Sequence, residues 1–262
     1  MMSSRPVAHP GLKLATALVM LFGTAGVSRP SYGVERVWAK RFPLPPGGRV
    51  WVENVHGSVV VEGWDRAEVE ATVALRSQNP SDRLDDVEVA VEVRAGSLAF
   101  HTLYPADLDE PVRVDYRLRV PRQVRLEQLS TLEGDIVVRD VEGAVRARSL
   151  DGDIEGVDVA GSVVARTLTG SIFVSLCRLP DRQLPVKLET LNGNVDLLLP
   201  AQANADLVIS TVAGKILGNY AFEVSSVPGD STRRARLGEG GVRVELRTVR
   251  GNIRVGQGDE DL

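Results

Sequence analysis

Residues Gly134–Gly170 read GDIVVRDVEGAVRARSLDGDIEGVDVAGSVVARTLTG, with glycines at 134, 143, 152, 161 and 170, nine residues apart without a break. Each glycine closes a tetrapeptide of the form [Ser/Thr/Asn/Asp]-[Leu/Val]-x-Gly. The same tetrapeptide stands at Asn54–Gly57, Thr190–Gly193, Thr211–Gly214 and Thr248–Gly251. Self-similarity at a fixed period marks a repeat architecture. Counting the glycine as position 1, position 3 is Ile136, Val145, Ile154, Val163 and Ile172, and position 5 is Val138, Ala147, Gly156, Ala165 and Val174. Side chains alternate along a strand, so positions 3 and 5 share one face. Position 8 (Val141, Leu150, Val159, Leu168, Cys177) has the opposite parity, and placing it in the same core requires a bend between 5 and 8. The small polar residue at position 7 (Asp140, Ser149, Asp158, Thr167) sits at that bend and can bond nearby backbone, while glycine permits positive φ or close approach.

Segments 134–151 and 152–169 share ten residues in eighteen. The expected architecture is therefore all-β: a β-solenoid of about eighteen residues per coil, two strands each, with equivalent residues stacked about 4.8 Å apart. Later repeats keep the alternation (Val186-x-Leu188, Leu207-x-Ile209, Val244-x-Leu246), and the extra residues are assigned to loops at Arg178–Pro185 and Ser225–Gly241. Upstream, Val50-x-Val52, Val59-x-Val61, Val69-x-Ala71, Val87-x-Val89 and Val112-x-Val114 predict strands at irregular spacing. They are read as an N-terminal antiparallel β unit, residues 34–122, packed on the end of the solenoid repeats of residues 123–256.

Residues 1–33 differ in kind. Arg5 and Lys13 precede the apolar run Leu14–Val27, with Ser28, Ser31 and Gly33 after it, the pattern of a secretory signal peptide. Fourteen residues span only about 21 Å as a helix, short of the roughly 30 Å of a hydrocarbon core, so no stable membrane span is expected after cleavage. The expected location is extracytoplasmic. Removing residues 1–33 takes away Arg5, Lys13 and Arg29 and no acidic residue, which lowers the formal charge from -4 to -7. Such a chain lacks the basic footprint of a nucleic-acid binder. Residues 257–262 form an acidic tail. Cys177 is the one cysteine; it falls at a core position of the repeat and is expected to be a small buried hydrophobe.

The repeats, together with Val52-Glu53-Asn54-Val55-His56-Gly57-Ser58-Val59 and on to Asp65, resemble the bacterial putative-adhesin family of β-strand-repeat domains, over roughly Val50 to Val255. The resemblance implies a secreted or envelope-associated β-solenoid and carries over no active site.

Candidate chemistry is sparse. Asp135 with Asp153, and Asp140 with Asp158, would stack one coil apart, as in calcium rolls; those need Gly-Gly-x-Gly-x-Asp, and here Ala144, Ser162 and Ser171 interrupt the pattern. His9, His56 and His101 make no metal-site spacing, and Gly214-Lys215 lacks the leading glycine of a phosphate loop. Trp38, Trp51 and Trp64 are read as core aromatics before sugar platforms. No cofactor or metal is expected. The outward positions 4 and 6 offer Val137, Arg139, Arg146, Arg148, Val164, Arg166 and Phe173 as a face for contact with an envelope protein or glycan, or for self-association. The functional expectation is a non-enzymatic, adhesin-like structural or binding module. Its rival is a carbohydrate-active β-helix lyase or hydrolase, which would need facing carboxylates or a carboxylate beside Arg or Lys.

Overall fold

The computed structural model describes residues 33–78, 84–105, 112–218, 221–224 and 231–257; residues 1–32 of the leader and 258–262 of the acidic tail lie outside them. Within the described residues, strands numbered along the chain form two sheets that share one apolar core. Sheet A holds, in spatial order, Val34–Pro43 (β1), Glu68–Ser77 (β4), Arg113–Pro121 (β7), Val59–Trp64 (β3), Ile136–Arg139 (β9), Ile154–Ala160 (β11), Ile172–Arg178 (β13), Val195–Leu199 (β15), Ile253–Gln257 (β21) and Ile216–Gly218 (β17). Sheet B holds Glu223–Val224 (β18), Thr232–Leu237 (β19), Ala205–Ala213 (β16), Val242–Arg250 (β20), Val186–Asn192 (β14), Val163–Thr169 (β12), Val145–Asp151 (β10), Val124–Glu133 (β8), Gly48–Glu53 (β2), Ser97–Leu103 (β6) and Glu88–Arg94 (β5).

From β8 to β15 the chain alternates between the sheets, and each strand pairs in parallel with the strand two further on. Val145 lies beside Val163, and Ile154 beside Ile172, eighteen residues away in each case. Positions 3 and 5 face inward as expected. Position 8 does not follow one rule. Val141 and Val159 are buried, whereas Leu150, Leu168 and Cys177 are exposed. The reason is that the two corners of a coil differ. Asp140 and Asp158 adopt left-handed φ of 56° and 53°, which turns the chain so that the next residue points inward. Ser149 and Thr167 stay in extended strand and face inward themselves, so the following leucine faces out. At Cys177 the aspartate is replaced by the buried Leu176, and β13 runs on to Arg178 through a register shift.

The inward hydroxyls form a continuous ladder. Oγ of Thr131, Ser149, Thr167, Thr190, Thr248 and Thr211 donates to the carbonyls of Gly57, Gly134, Gly152, Gly170, Gly193 and Gly251, at 2.8–3.1 Å. A buried hydroxyl must have a partner, and here the partner is the glycine of the neighbouring coil. Asn54 opens the ladder by donating to Gly57 O and Val114 O. The close approach explains the glycine: a Cβ on Gly152, at φ 151°, would overlap the carbonyl oxygen of Gly134.

Three expectations need correction. The N-terminal half is not wholly antiparallel. β2 and β3 pair in parallel with β8 and β9 and so continue the stack, and antiparallel pairing is confined to β1–β4–β7 and β5–β6. Of the stretch Ser225–Gly241, residues 225–230 lie outside the described residues, and the rest is not a plain loop. Its residues Thr232–Leu237 form β19, antiparallel to β16, which covers that edge of sheet B. The repeats also do not stack in chain order: β20 and β21 insert between β14–β15 and β16–β17. The loop after Arg178 is found as expected, with β14 resuming at Val186.

Candidate interaction surface

Strand alternation places Leu150 on the outer face of sheet B, two residues beyond Arg148. Parallel register repeats that placement in every coil. Leu132, Leu150, Leu168, Leu191, Val249 and Val212 form one apolar row across six adjacent strands, and four of them are leucines 39–49% exposed. Beside it runs a polar row of Ser130, Arg148, Arg166, Glu189, Arg247 and Ser210. The two rows flank a groove of about 700 Å³. Its hydroxyls at Thr131, Ser149, Thr167 and Thr190 are already committed to glycine carbonyls, and its strand backbone to the parallel ladders.

The charges in the groove are unevenly matched. Arg166 Nε meets Glu189 Oε2 at 2.8 Å. Arg148 and Arg247 have no ion pair among the described residues, and Arg148 stands directly beside Arg166. Outside the groove lining, at the strand ends, Asp151 stands beside Glu133. Glu133 meets His56 Nδ1 at 3.1 Å, while Asp151 has no side-chain partner among the described residues.

The seven residues singled out from positions 4 and 6 do not share a face. Val137, Arg139 and Phe173 lie on the outside of sheet A, and Arg146, Arg148, Val164 and Arg166 on the outside of sheet B. Successive nine-residue units alternate between sheets, so one repeat position visits two surfaces. Within each set charges are largely neutralised locally: Arg139 pairs with Glu155 at 2.8 Å and Arg146 with Glu127 at 2.7 Å. Only Arg148 and Arg166 border the groove. The leucine row escapes a reading in which position 8 is uniform. The signal that separates its members is the residue at position 7, aspartate before the buried valines and serine or threonine before the exposed leucines.

Several of the carboxylates that a hydrolytic reading could use are bonded within the chain. Asp135 and Asp153 do stack one coil apart, and each accepts the backbone N–H one coil on, from Asp153 at 2.9 Å and Ser171 at 2.7 Å. Asn194 and Asn252 continue the column in the same way. Burial pushes the Asp115 carboxyl up, but the N–H and Oγ of Ser58 and the guanidinium groups of Arg113 and Arg76 together hold it below the usual carboxylate range. Asp196, on the outer face of sheet A, is raised by burial, with Arg254 at 3.5 Å opposing the shift. It is a carboxylate beside an arginine, but it sits on the sheet opposite the groove. Each tryptophan is half-buried beneath a cation: Lys40 lies 5.4 Å from Trp38, Arg49 5.7 Å from Trp51 and Arg66 4.9 Å from Trp64. Cys177, contrary to expectation, is open to solvent.

No protein-family model matches the chain, and no curated protein matches it. Among solved structures it is similar to a putative cell adhesion protein from Clostridium sporogenes ATCC 15579, with 11% identity over 85% of this chain and 100% of that one and a TM-score of 0.41. It is similar also to a putative adhesin from Bacteroides fragilis NCTC 9343, with 11% identity over 84% and 97% and a TM-score of 0.42. A putative adhesin from Parabacteroides distasonis ATCC 8503 shows 12% identity over 86% and 98%, with a TM-score of 0.33. Putative adhesins, the family that the repeat motif resembles, stand among the solved chains similar to this one. No helix among the described residues is long and apolar enough to cross a membrane.

Proposed function

We propose that the protein is an exported, non-enzymatic, adhesin-like binding module of the cell envelope, built as a β-solenoid of two strands per coil. The solenoid reading is supported by parallel pairing at eighteen-residue intervals, and export by the charged, apolar and small-residue order of the leader. The observation that carries the binding role is the groove on sheet B. An exposed leucine row lies against arginines that have spare charge, while its one carboxylate, Glu189, is held by Arg166. That arrangement suits contact with a partner more than proton transfer.

The test is binding of the processed protein to arrays of envelope glycans and envelope proteins, with and without calcium, while released sugar is assayed. Binding without turnover is expected, and Leu168→Glu should weaken it about tenfold if the partner uses the groove. Sugar release that is lost in Asp196→Asn would overturn the non-enzymatic reading.

A further inference from the structure

We infer that the groove of sheet B takes an acidic glycan, whose carboxylates sit along the arginine wall while the apolar faces of its sugar rings lie against the leucines. The inference rests on the binding role proposed above for this groove and names the class of ligand. The observation behind it is charge. Three arginines and one glutamate line the groove, Arg148, Arg166, Arg247 and Glu189, a formal charge of +2 in a chain that carries -7 once residues 1–33 are removed. They form one row on four adjacent strands, with Arg148 beside Arg166, Arg166 beside Glu189 and Glu189 beside Arg247. Arg166 shows what the row accepts, a carboxylate oxygen at 2.8 Å, and that carboxylate is already shared with Lys187 at 3.1 Å. Arg148 and Arg247 have no such partner among the described residues. Glu133 and Asp151 stand outside the lining, at the strand ends, so an anionic group is favoured on the arginine side of the groove.

The remaining walls choose among anions. A strand spacing of about 4.8 Å puts Arg148 and Arg247 roughly 14 Å apart, so a small anion reaches one of them and a chain with several acid groups reaches both. An extended peptide gains no ladder here, because the strands beneath the groove are paired with neighbours on both sides. A single nucleic-acid strand needs aromatic platforms, and no aromatic side chain lines the groove among the described residues. A single-headed lipid sets its charge at one point, whereas the cations here run along the row beside the apolar wall. A polyuronate meets each condition: its carboxylates recur along the chain and its ring C–H faces are apolar. Its hydroxyls stay in water on the open side, which suits a floor whose own hydroxyls and backbone groups are already bonded.

Isothermal titration calorimetry of the processed chain tests this with polygalacturonate, alginate and hyaluronate, each also as its uncharged methyl ester, and with galacturonate and glucuronate as single sugars. At least one acidic polymer is expected to bind, more weakly as salt is raised, and esterification or reduction to the single sugar should cost about tenfold or more. Arg148→Gln and Arg247→Gln should each weaken binding about fivefold to tenfold and the double variant further, while Arg139→Gln on sheet A should leave it unchanged. Thermal melts of each variant report that the fold is kept. Silence with all three acidic polymers, ester and acid bound alike, or binding indifferent to the double variant would each overturn the inference. The binding role of the groove is read separately. A neutral glycan or envelope protein whose binding is lost in Leu168→Glu keeps the groove as a site for a different ligand, whereas a Leu168→Glu variant that binds every such ligand as the wild type does removes the groove from the binding role.

Discussion

A single atom decides the identity of the corner glycines. Gly152 faces the carbonyl of Gly134 so closely that any side chain must displace the neighbouring coil, and its φ of 151° is one that L residues rarely adopt. Gly152→Ala should therefore destabilise the protein by more than about 2 kcal/mol, well beyond an ordinary surface change, as measured by urea unfolding. The residue types needed at this point are legible in the sequence, because a recurring Thr-Leu-x-Gly marks a corner where only glycine fits. Their bonding is legible only in kind: a small polar residue at a bend suggests a backbone partner, but that the partner is the glycine carbonyl of the next coil depends on stacking. Cys177 misleads at the same scale. Its place in the period matches that of Val141 and Val159, and what differs is the missing left-handed residue before it.

Between strands, the two kinds of corner set which side chains enter the core. Asp158 is exposed, has left-handed φ and makes no side-chain bond among the described residues, so its role is conformational. Asp158→Gly should leave the melting temperature nearly unchanged, whereas Asp158→Val should cost about 1–2 kcal/mol by forcing a β-branched residue into the left-handed region. A loss as large for glycine as for valine would show that the carboxylate itself matters. No such residue exists at the Ser149 and Thr167 corners, and the leucines that follow are turned to solvent. Half of the candidate surface is thus implicit in position 7. The period of nine conceals it, since the true unit is eighteen and its two halves obey different geometry. Outward parity alone selects Arg148 and Arg166 correctly, but it groups Val137, Arg139 and Phe173 with them although they belong to the other sheet.

At the scale of the whole molecule, the order of the coils carries its own consequence. β20 and β21 each bridge two partners, β14 and β16 in sheet B, β15 and β17 in sheet A. Truncation after Gly241 would remove the middle of the stack and leave facing edges unpaired, so the shortened chain should fail to give a soluble, cooperatively unfolding protein. A repeat stacked strictly in chain order would tolerate loss of its last coil, and a stable truncated form would contradict the topology. By itself the sequence determined the alternation of the strands, the glycine corners, the eighteen-residue interval between paired strands and the all-β class, because alternation and the steric demands of a corner are local and are written afresh in each repeat. Only the tertiary structure decided which coil lies beside which, that β2 and β3 join the stack, and that the leucines form one exposed row. Every Thr-[Leu/Val]-x-Gly corner can pair with any other, so local chemistry leaves the neighbour open, and the choice is made by the strand edges that the rest of the chain covers or leaves free.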